Sequence, residues 1–297
     1  MGGNNLLLTI QEIERAFRQE NYISDEDIAT VVYLALKLNK PLLIEGEAGV
    51  GKTEIAKVLA KVLDTNLIRL QCYEGIDENK ALYEWNYQKQ LLKIQLGKEK
   101  QVENELEKDL FSESYLLERP LLKALRCLKS PVLLIDEIDK VQEEFEAFLL
   151  EILSEYQVSI PELGTVTAQS IPFVILTSNN TRSLTDALKR RCLYLYLDYP
   201  SWEKELNILK ARIPGIGEML AQEVVTAIQK LRNQLKLRKK PSIAETIDWG
   251  RALISLEVDR LTPELVEKTL STFLKIQQDL KTFSTKGGAS WLLEKKD

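Results

Sequence analysis

Residues 41–62 read PLLIEGEAGVGKTEIAKVLAKV: a short apolar strand, a glycine-rich loop, then a helix with Ile55, Val58, Leu59 and Val62 on one face. The loop, GEAGVGKT (46–53), has the spacing G-x-x-x-x-G-K-[ST]. Glycines at these positions let the backbone curl so that successive N–H groups point inward toward an anion. The helix that follows adds its positive N-terminal end, and a lysine and a hydroxyl sit where a phosphate and its metal ion need them. Gly46, Glu47, Ala48, Gly49, Val50, Gly51, Lys52, Thr53 and Glu54 are therefore candidate phosphate contacts, with Lys52 directed at the β and γ oxygens and Thr53 at Mg²⁺.

The strand entering this loop needs sheet partners. NLIRLQC (66–72), PVLLID (131–136), IPFVILTS (171–178) and CLYLYL (192–197) are equally short and apolar, and helical or turn-rich stretches separate them. Such alternation predicts an α/β fold with a parallel five-stranded sheet covered on both faces. Residues 25–39 show helical spacing behind Ser24, a candidate N-cap. Two segments interrupt the alternation: 81–100, aromatic and charged, reads as an insertion, and 154–170, around Pro161 and Gly164, as an exposed hairpin. Beyond Pro200 the remaining pattern is helical, which sets an expected boundary near 199–201 between domains 1–199 and 200–297. The last stretch, FSTKGGASWLLEKKD, reads as frayed.

Composition narrows the chemistry. The 297 residues contain no histidine. A Ser-His-Asp triad, a Cys-His nucleophile and an H-E-x-x-H metal site are thereby excluded, and proton transfer falls to carboxylates. Lys and Arg number 40 against 45 Asp and Glu, a net charge of −5 that disfavours a nucleic-acid partner. Cys72, Cys127 and Cys192 are too far apart for a C-x-x-C site and read as structural thiols of a reducing compartment. Neither a signal peptide nor a membrane-length apolar run is evident, so the expected location is the cytoplasm, without membrane association.

Within VLLIDEIDK (132–140), an apolar strand ends in two carboxylates, Asp136 to hold a metal ion and Glu137 to activate a water. Asp139 and Lys140 read as exposed helix-start residues. Asn179 ends the strand ILTS, where an amide can orient the water; Arg190 and Arg191 precede the next strand, where an arginine can serve a neighbouring subunit. Other features have plainer readings. RNQLKLRKK (232–240) reads as a solvated face, and Phe145, Phe148, Leu149, Ile152 and Leu153 as core behind Asp136. Tyr83, Trp85 and Tyr87 fit either a client-facing loop or local packing.

In order, these elements resemble the AAA+ ATPases: two Walker motifs, sensor 1 and an arginine finger. QCYEGID, ALYEWNYQKQLL, SIPELGT, TSNNTRSLTDALKRRCLYLYLDYP and PSIAETIDW are similar to the CoxD-like branch of the MoxR family, a likeness spanning roughly residues 20–255. The resemblance implies a P-loop NTPase αβα sandwich with a smaller all-α lid, ATP and Mg²⁺ as ligands, and self-association into a ring, usually a hexamer. It also implies remodelling of a client enzyme, a partner with a von Willebrand factor A (VWA) domain, and often maturation of a metalloenzyme. Asp136 and Thr53 become the metal ligands, Glu137 the base, Asn179 sensor 1, and Arg191 rather than Arg190 the finger. The family commonly has a sensor 2 arginine near the start of a lid helix; in PSIAETIDWGRAL Glu245 stands there, forming the capping-box pattern S-x-x-E with Ser242, and Arg251, six residues on and about 9 Å along a helix, could substitute only with a different lid angle. A clamp-loader-like, DNA-handling ATPase and a non-hydrolysing scaffold are the alternative readings.

Overall fold

The computed structural model describes residues 9–96, 110–161 and 163–294. The helices, in chain order, are α1 (Ile10–Gln19), α2 (Glu26–Leu38), α3 (Lys52–Val62), α4 (Glu78–Ala81), α5 (Tyr87–Leu96), α6 (Pro120–Leu125), α7 (Glu143–Glu155), α8 (Asp186–Arg191), α9 (Trp202–Arg212), α10 (Glu218–Gln234), α11 (Ile243–Ser255), α12 (Pro263–Thr269), α13 (Gln277–Lys286) and α14 (Gly288–Leu293). The chain divides into two compact units. One holds residues 26–45 and 55–196 with the first segment of the chain; the other holds 15–25, the loop 46–54, and everything from Leu197 on.

The first unit is built on strands β1 (Leu42–Gly46), β2 (Leu67–Gln71), β5 (Val132–Asp136), β8 (Phe173–Ser178) and β9 (Leu193–Leu197), in the order β2-β5-β8-β1-β9. β1 pairs with β8, β8 with β5 and β5 with β2, all in parallel. Every residue of β1, β5 and β8 is buried, so the sheet is covered on both faces, as their unbroken apolar sequences predict. Leu43, Leu133, Ile135, Val174 and Leu176 pack in one core with Phe145, Leu149, Ile152 and Leu153 of α7, which recur at helical spacing. Each such side chain, once fully buried, contributes about 1.5–3 kcal/mol. Phe148 is only partly buried at the margin of this core.

Two antiparallel pairs flank the sheet. β6 (Gln157–Ile160) and β7 (Gly164–Thr167) form the expected hairpin, but it is not wholly exposed, because Val158 and Ile160 enter the core. β3 (Tyr83–Trp85) pairs with β4 (Leu116–Glu118). Trp85 is buried edge-on to Tyr83 and Phe111, whereas Tyr87 is exposed; local packing claims the first two aromatics. The segment read as an insertion contains β3 and α5, and its residues 97–100 lie outside the described residues. Among the described residues no helix is long and apolar enough to cross a membrane.

The second unit's C-terminal part is helical. Leu220, Val224, Ile228 and Leu231 of α10 join Leu209, Trp249, Leu253 and Phe273 in its core. Three expectations need correction. Arg232, read as solvated, is buried and ion-paired to Glu205 at 2.6 Å. Its guanidinium also donates to the carbonyl of Pro241 at 2.5 Å and lies over the Tyr199 ring, so the basic run is anchored at its start. The tail read as frayed forms α13 and α14, with Phe283, Ala289 and Leu292 buried and only 295–297 outside the described residues. Apolar spacing too sparse to predict a helix suffices when a prepared core receives it. Finally, α2 starts at Glu26, immediately after Asp25, so Ser24 is one residue too early to cap it.

Candidate active site

The carboxyl ends of parallel strands are where open α/β sheets bind their ligands. Register brings Glu45 of β1 opposite Ser178 of β8, and Gln71 of β2 opposite Asp136 of β5. Asp136 is buried. Its Oδ1 accepts the Thr177 hydroxyl proton at 2.5 Å, and its Oδ2 accepts two hydrogen bonds from Arg69, from Nε at 3.1 Å and Nη2 at 2.5 Å. The same Thr177 oxygen accepts the backbone N–H of Glu137 at 2.9 Å. Glu137 stands in the left-handed region, φ 59°, a conformation sparsely used by residues with a side chain and enriched at functional sites. Its Oε2 accepts from Gln71 Nε2 at 3.0 Å and from Lys140 Nζ at 2.5 Å. That ammonium's own pKa rises through its hydrogen bond with Glu137.

Asn179 follows β8 directly and is half-buried. Asp139, expected on the surface, is buried, and its Oδ2 accepts from the Thr181 N–H at 3.0 Å and hydroxyl at 2.6 Å. Burial opposes its ionisation, but hydrogen bonds from Thr181 and nearby backbone N–H groups outweigh this and hold its pKa below the usual carboxylate value. Asp139 thus ties the segment after β8 to the turn after β5. Lys140 is exposed, as expected. Arg190 and Arg191 are both exposed in the last turn of α8, where cations suit the negative helix end. The first unit therefore brings Asp136 and Glu137 together through Thr177.

In the second unit, Gly46, Gly49 and Gly51 all have positive φ, at 153°, 79° and 101°. A Cβ on Gly46 would strike the carbonyl oxygen of Leu197, and one on Gly49 would strike the Ser242 hydroxyl. Val50 is buried, while Glu47, Ala48 and Gly49 are exposed. Lys52 is buried, and its Nζ donates to the carbonyls of Gly46 at 2.7 Å and Glu47 at 2.8 Å, so the ammonium spans the loop's entrance. Thr53 and Glu54 are half-buried in the first turn of α3. Glu54 accepts from Arg212 Nη2 at 2.6 Å. Burial, and then the carboxylates of Asp25 and Glu54, push the Tyr22 phenol well above its ordinary range.

Ser242 and Glu245 form the capping box read from the sequence: the Ser242 N–H donates to Glu245 Oε2 at 2.9 Å. Burial works against the Glu245 charge, but the Ser242 hydrogen bonds and Lys239 prevail and lower its pKa. Arg251 is exposed, 4.0 Å from Asp248. Arg69, Gln71, Thr177 and Arg212 are the functional candidates that the sequence did not single out. The first two had one available signal, alternation of outward polar residues along a half-buried strand.

Comparison with known proteins agrees with this architecture. Residues 41–192 match the AAA domain family, dynein-related subfamily. An uncharacterized protein of Staphylococcus aureus (strain USA300) is 25% identical over 253 residues, covering 83% of this chain and 88% of its own. A second, from Staphylococcus haemolyticus, is 24% identical over the same shares. Among solved structures, a RuvB point variant from Thermotoga maritima is 21% identical with a TM-score of 0.52, covering 91% of this chain and 80% of that one, which shows a shared fold. With a family match across half its length and a phosphate-binding loop leaving the first strand of a five-stranded parallel sheet, the chain belongs to the AAA family, dynein-related subfamily, and is a P-loop ATPase.

Proposed function

We propose that the chain is a Mg²⁺-dependent ATPase of the MoxR type, CoxD-like branch, which assembles into a ring, most simply a hexamer, and remodels a protein partner. The observation carrying the ATPase half is the joint held by Thr177, which fixes a buried metal-binding carboxylate, Asp136, beside a carboxylate in a strained backbone position, Glu137. The donor chemistry fits magnesium: Asp136 and the Thr53 hydroxyl are hard oxygen ligands, and Mg²⁺ commonly takes one or two carboxylates plus substrate phosphates. When bound, the ion supplies charge neutralisation on the β- and γ-phosphoryl oxygens.

The loop Gly46–Gly51 cradles the phosphates with its N–H groups, while Lys52 exchanges its two carbonyl partners for phosphate oxygens. Glu137 accepts a proton as water attacks the γ-phosphorus; the bond to the ADP oxygen breaks, and Asn179 orients the water. Arg191, exposed at the end of α8, reaches the phosphates of a neighbouring subunit, with Arg190 a poorer choice because it lies one residue further from the strand. Ser242–Glu245 close the start of a lid helix by capping, so lid sensing does not use an arginine at that position. Residues 1–199 form the nucleotide-binding domain and 200–297 the lid.

The MoxR assignment rests on the sequence likeness in the two interrupting segments and the sensor region. It brings a VWA-domain partner and a client enzyme whose maturation or activation the ring drives in the cytoplasm. The test is capture by a Glu137→Gln trap with ATP, followed by mass spectrometry. Recovery of a VWA-domain protein supports the reading; hydrolysis stimulated by DNA in a salt-dependent way, with no protein captured, replaces it with a DNA-handling one. Mixed rings of Arg191→Ala and Lys52→Ala subunits regain part of the activity if Arg191 acts across subunits, and regain none if it does not.

A further inference from the structure

Asp136 has 4% of its side chain exposed, and Arg69, which pairs with it, has 50%. A carboxylate this buried requires a compensating cation. Arg69 supplies one through a fork, Nε at 3.1 Å and Nη2 at 2.5 Å, with both donors on a single oxygen, Oδ2. The other oxygen, Oδ1, is committed to the Thr177 hydroxyl. Oδ1 keeps a lone pair beside that bond, so Oδ2 is the oxygen that the guanidinium fills. An arginine cannot lose its proton to make room, and two cations at contact distance with one carboxylate oxygen repel each other.

The geometry points to Arg69 as a built-in competitor for the metal: its fork holds Asp136 Oδ2, and a divalent cation that takes this oxygen displaces the fork, which lowers metal affinity. The inference rests on Asp136 being the metal ligand. Arg69 has somewhere to go. It lies on the outward side of β2, half its surface meets solvent, and Nη2 already contacts the side-chain oxygen of Gln71. Because register places Gln71 directly opposite Asp136, the guanidinium can rotate along the strand edge without moving the backbone. Arg69 is thus a positioning residue, acting through the occupancy of Asp136.

The test is Mn²⁺ titration of the 297-residue chain saturated with a non-hydrolysable ATP analogue, with free Mn²⁺ followed by electron paramagnetic resonance. Direct competition predicts that Arg69→Gln binds Mn²⁺ roughly 3- to 30-fold more tightly than wild type, since one charge-assisted hydrogen-bond fork is no longer displaced. Arg69→Lys, which keeps the charge and loses the fork, should fall between the two. Wild-type affinity in both variants would overturn the proposal. So would a Lys variant equal to wild type beside a tighter Gln variant, because charge alone would then account for the effect. Absence of any Mn²⁺ site in wild type would overturn the reading of Asp136 itself, an outcome distinct from unchanged affinity.

Discussion

The Thr177 hydroxyl donates to Asp136 Oδ1 at 2.5 Å across neighbouring strands, and the same oxygen receives the Glu137 N–H at 2.9 Å. A threonine hydroxyl has one proton to give and two lone pairs to accept with, so this residue serves as donor and acceptor at once. Thr177→Val keeps the shape and removes both bonds, leaving the half-buried Glu137 N–H and a buried carboxylate oxygen each with one partner fewer. Expected are a loss of about 1–3 kcal/mol in unfolding free energy and a fall in ATP turnover. Urea melts and phosphate release check the two halves; unchanged turnover would show that Thr177 is only a packing residue.

Glu137→Gln removes the proton acceptor and the charge paired with Lys140, while the amide stays nearly isosteric. ATP binding should persist while phosphate release drops by about 10²–10⁴. Retained wild-type turnover would exclude Glu137 as the base.

Gly49 combines φ 79° with the Ser242 side chain at the place a Cβ would occupy. Gly49→Ala is therefore strained on two counts, at about 1–3 kcal/mol for the backbone alone. A lowered melting temperature together with weakened binding of a fluorescent ATP analogue is expected. A variant that binds and melts like wild type would refute the close approach of Gly49 and Ser242.

Glu205 and Arg232 are both buried, with Thr246 and Gln229 completing the network at 2.7 Å each from Glu205. Breaking the pair by Arg232→Ala strands an uncompensated charge, which costs about 3–5 kcal/mol. Replacing both partners by methionine should cost much less. Equal losses in chemical denaturation of the single and double variants would contradict that account.

Burial pushes the Cys72 and Cys192 thiols from 9.0 to about 12. The shift is upward, so the reactive thiolate is suppressed at every pH below that value. At pH 8 the thiolate fraction falls by about a thousandfold relative to the unshifted thiol, three pKa units at tenfold each. Iodoacetamide at pH 8 should label these two cysteines only after denaturation. Rapid labelling in the folded protein, located by peptide mapping, would show that they are accessible.

Much of the fold was legible because its signals are local. Five short apolar runs, a loop whose glycines tolerate positive φ, and an S-x-x-E cap are patterns of a few residues whose physics holds wherever they occur. Asp136 and Glu137 were legible for the same reason, as acids at the end of an apolar strand. Arg69 and Gln71 were not: they precede Asp136 and Glu137 by 67 and 66 residues. Only the parallel register of β2 on β5 brings them together. Asp139 and Arg232 look like surface charges by composition, and each is buried because a distant partner, Thr181 or Glu205, compensates it. The C-terminal tail becomes helical because Phe283 and Leu292 find a core assembled by other helices.

By itself, then, the sequence determined the strands, the phosphate-binding loop and the acids at the strand end. The tertiary structure alone decided which cation holds Asp136, which hydroxyl joins it to Glu137, and which charges are buried. Propensity and periodicity act over a few residues, whereas a side chain's partner depends on register and packing between segments far apart in the chain.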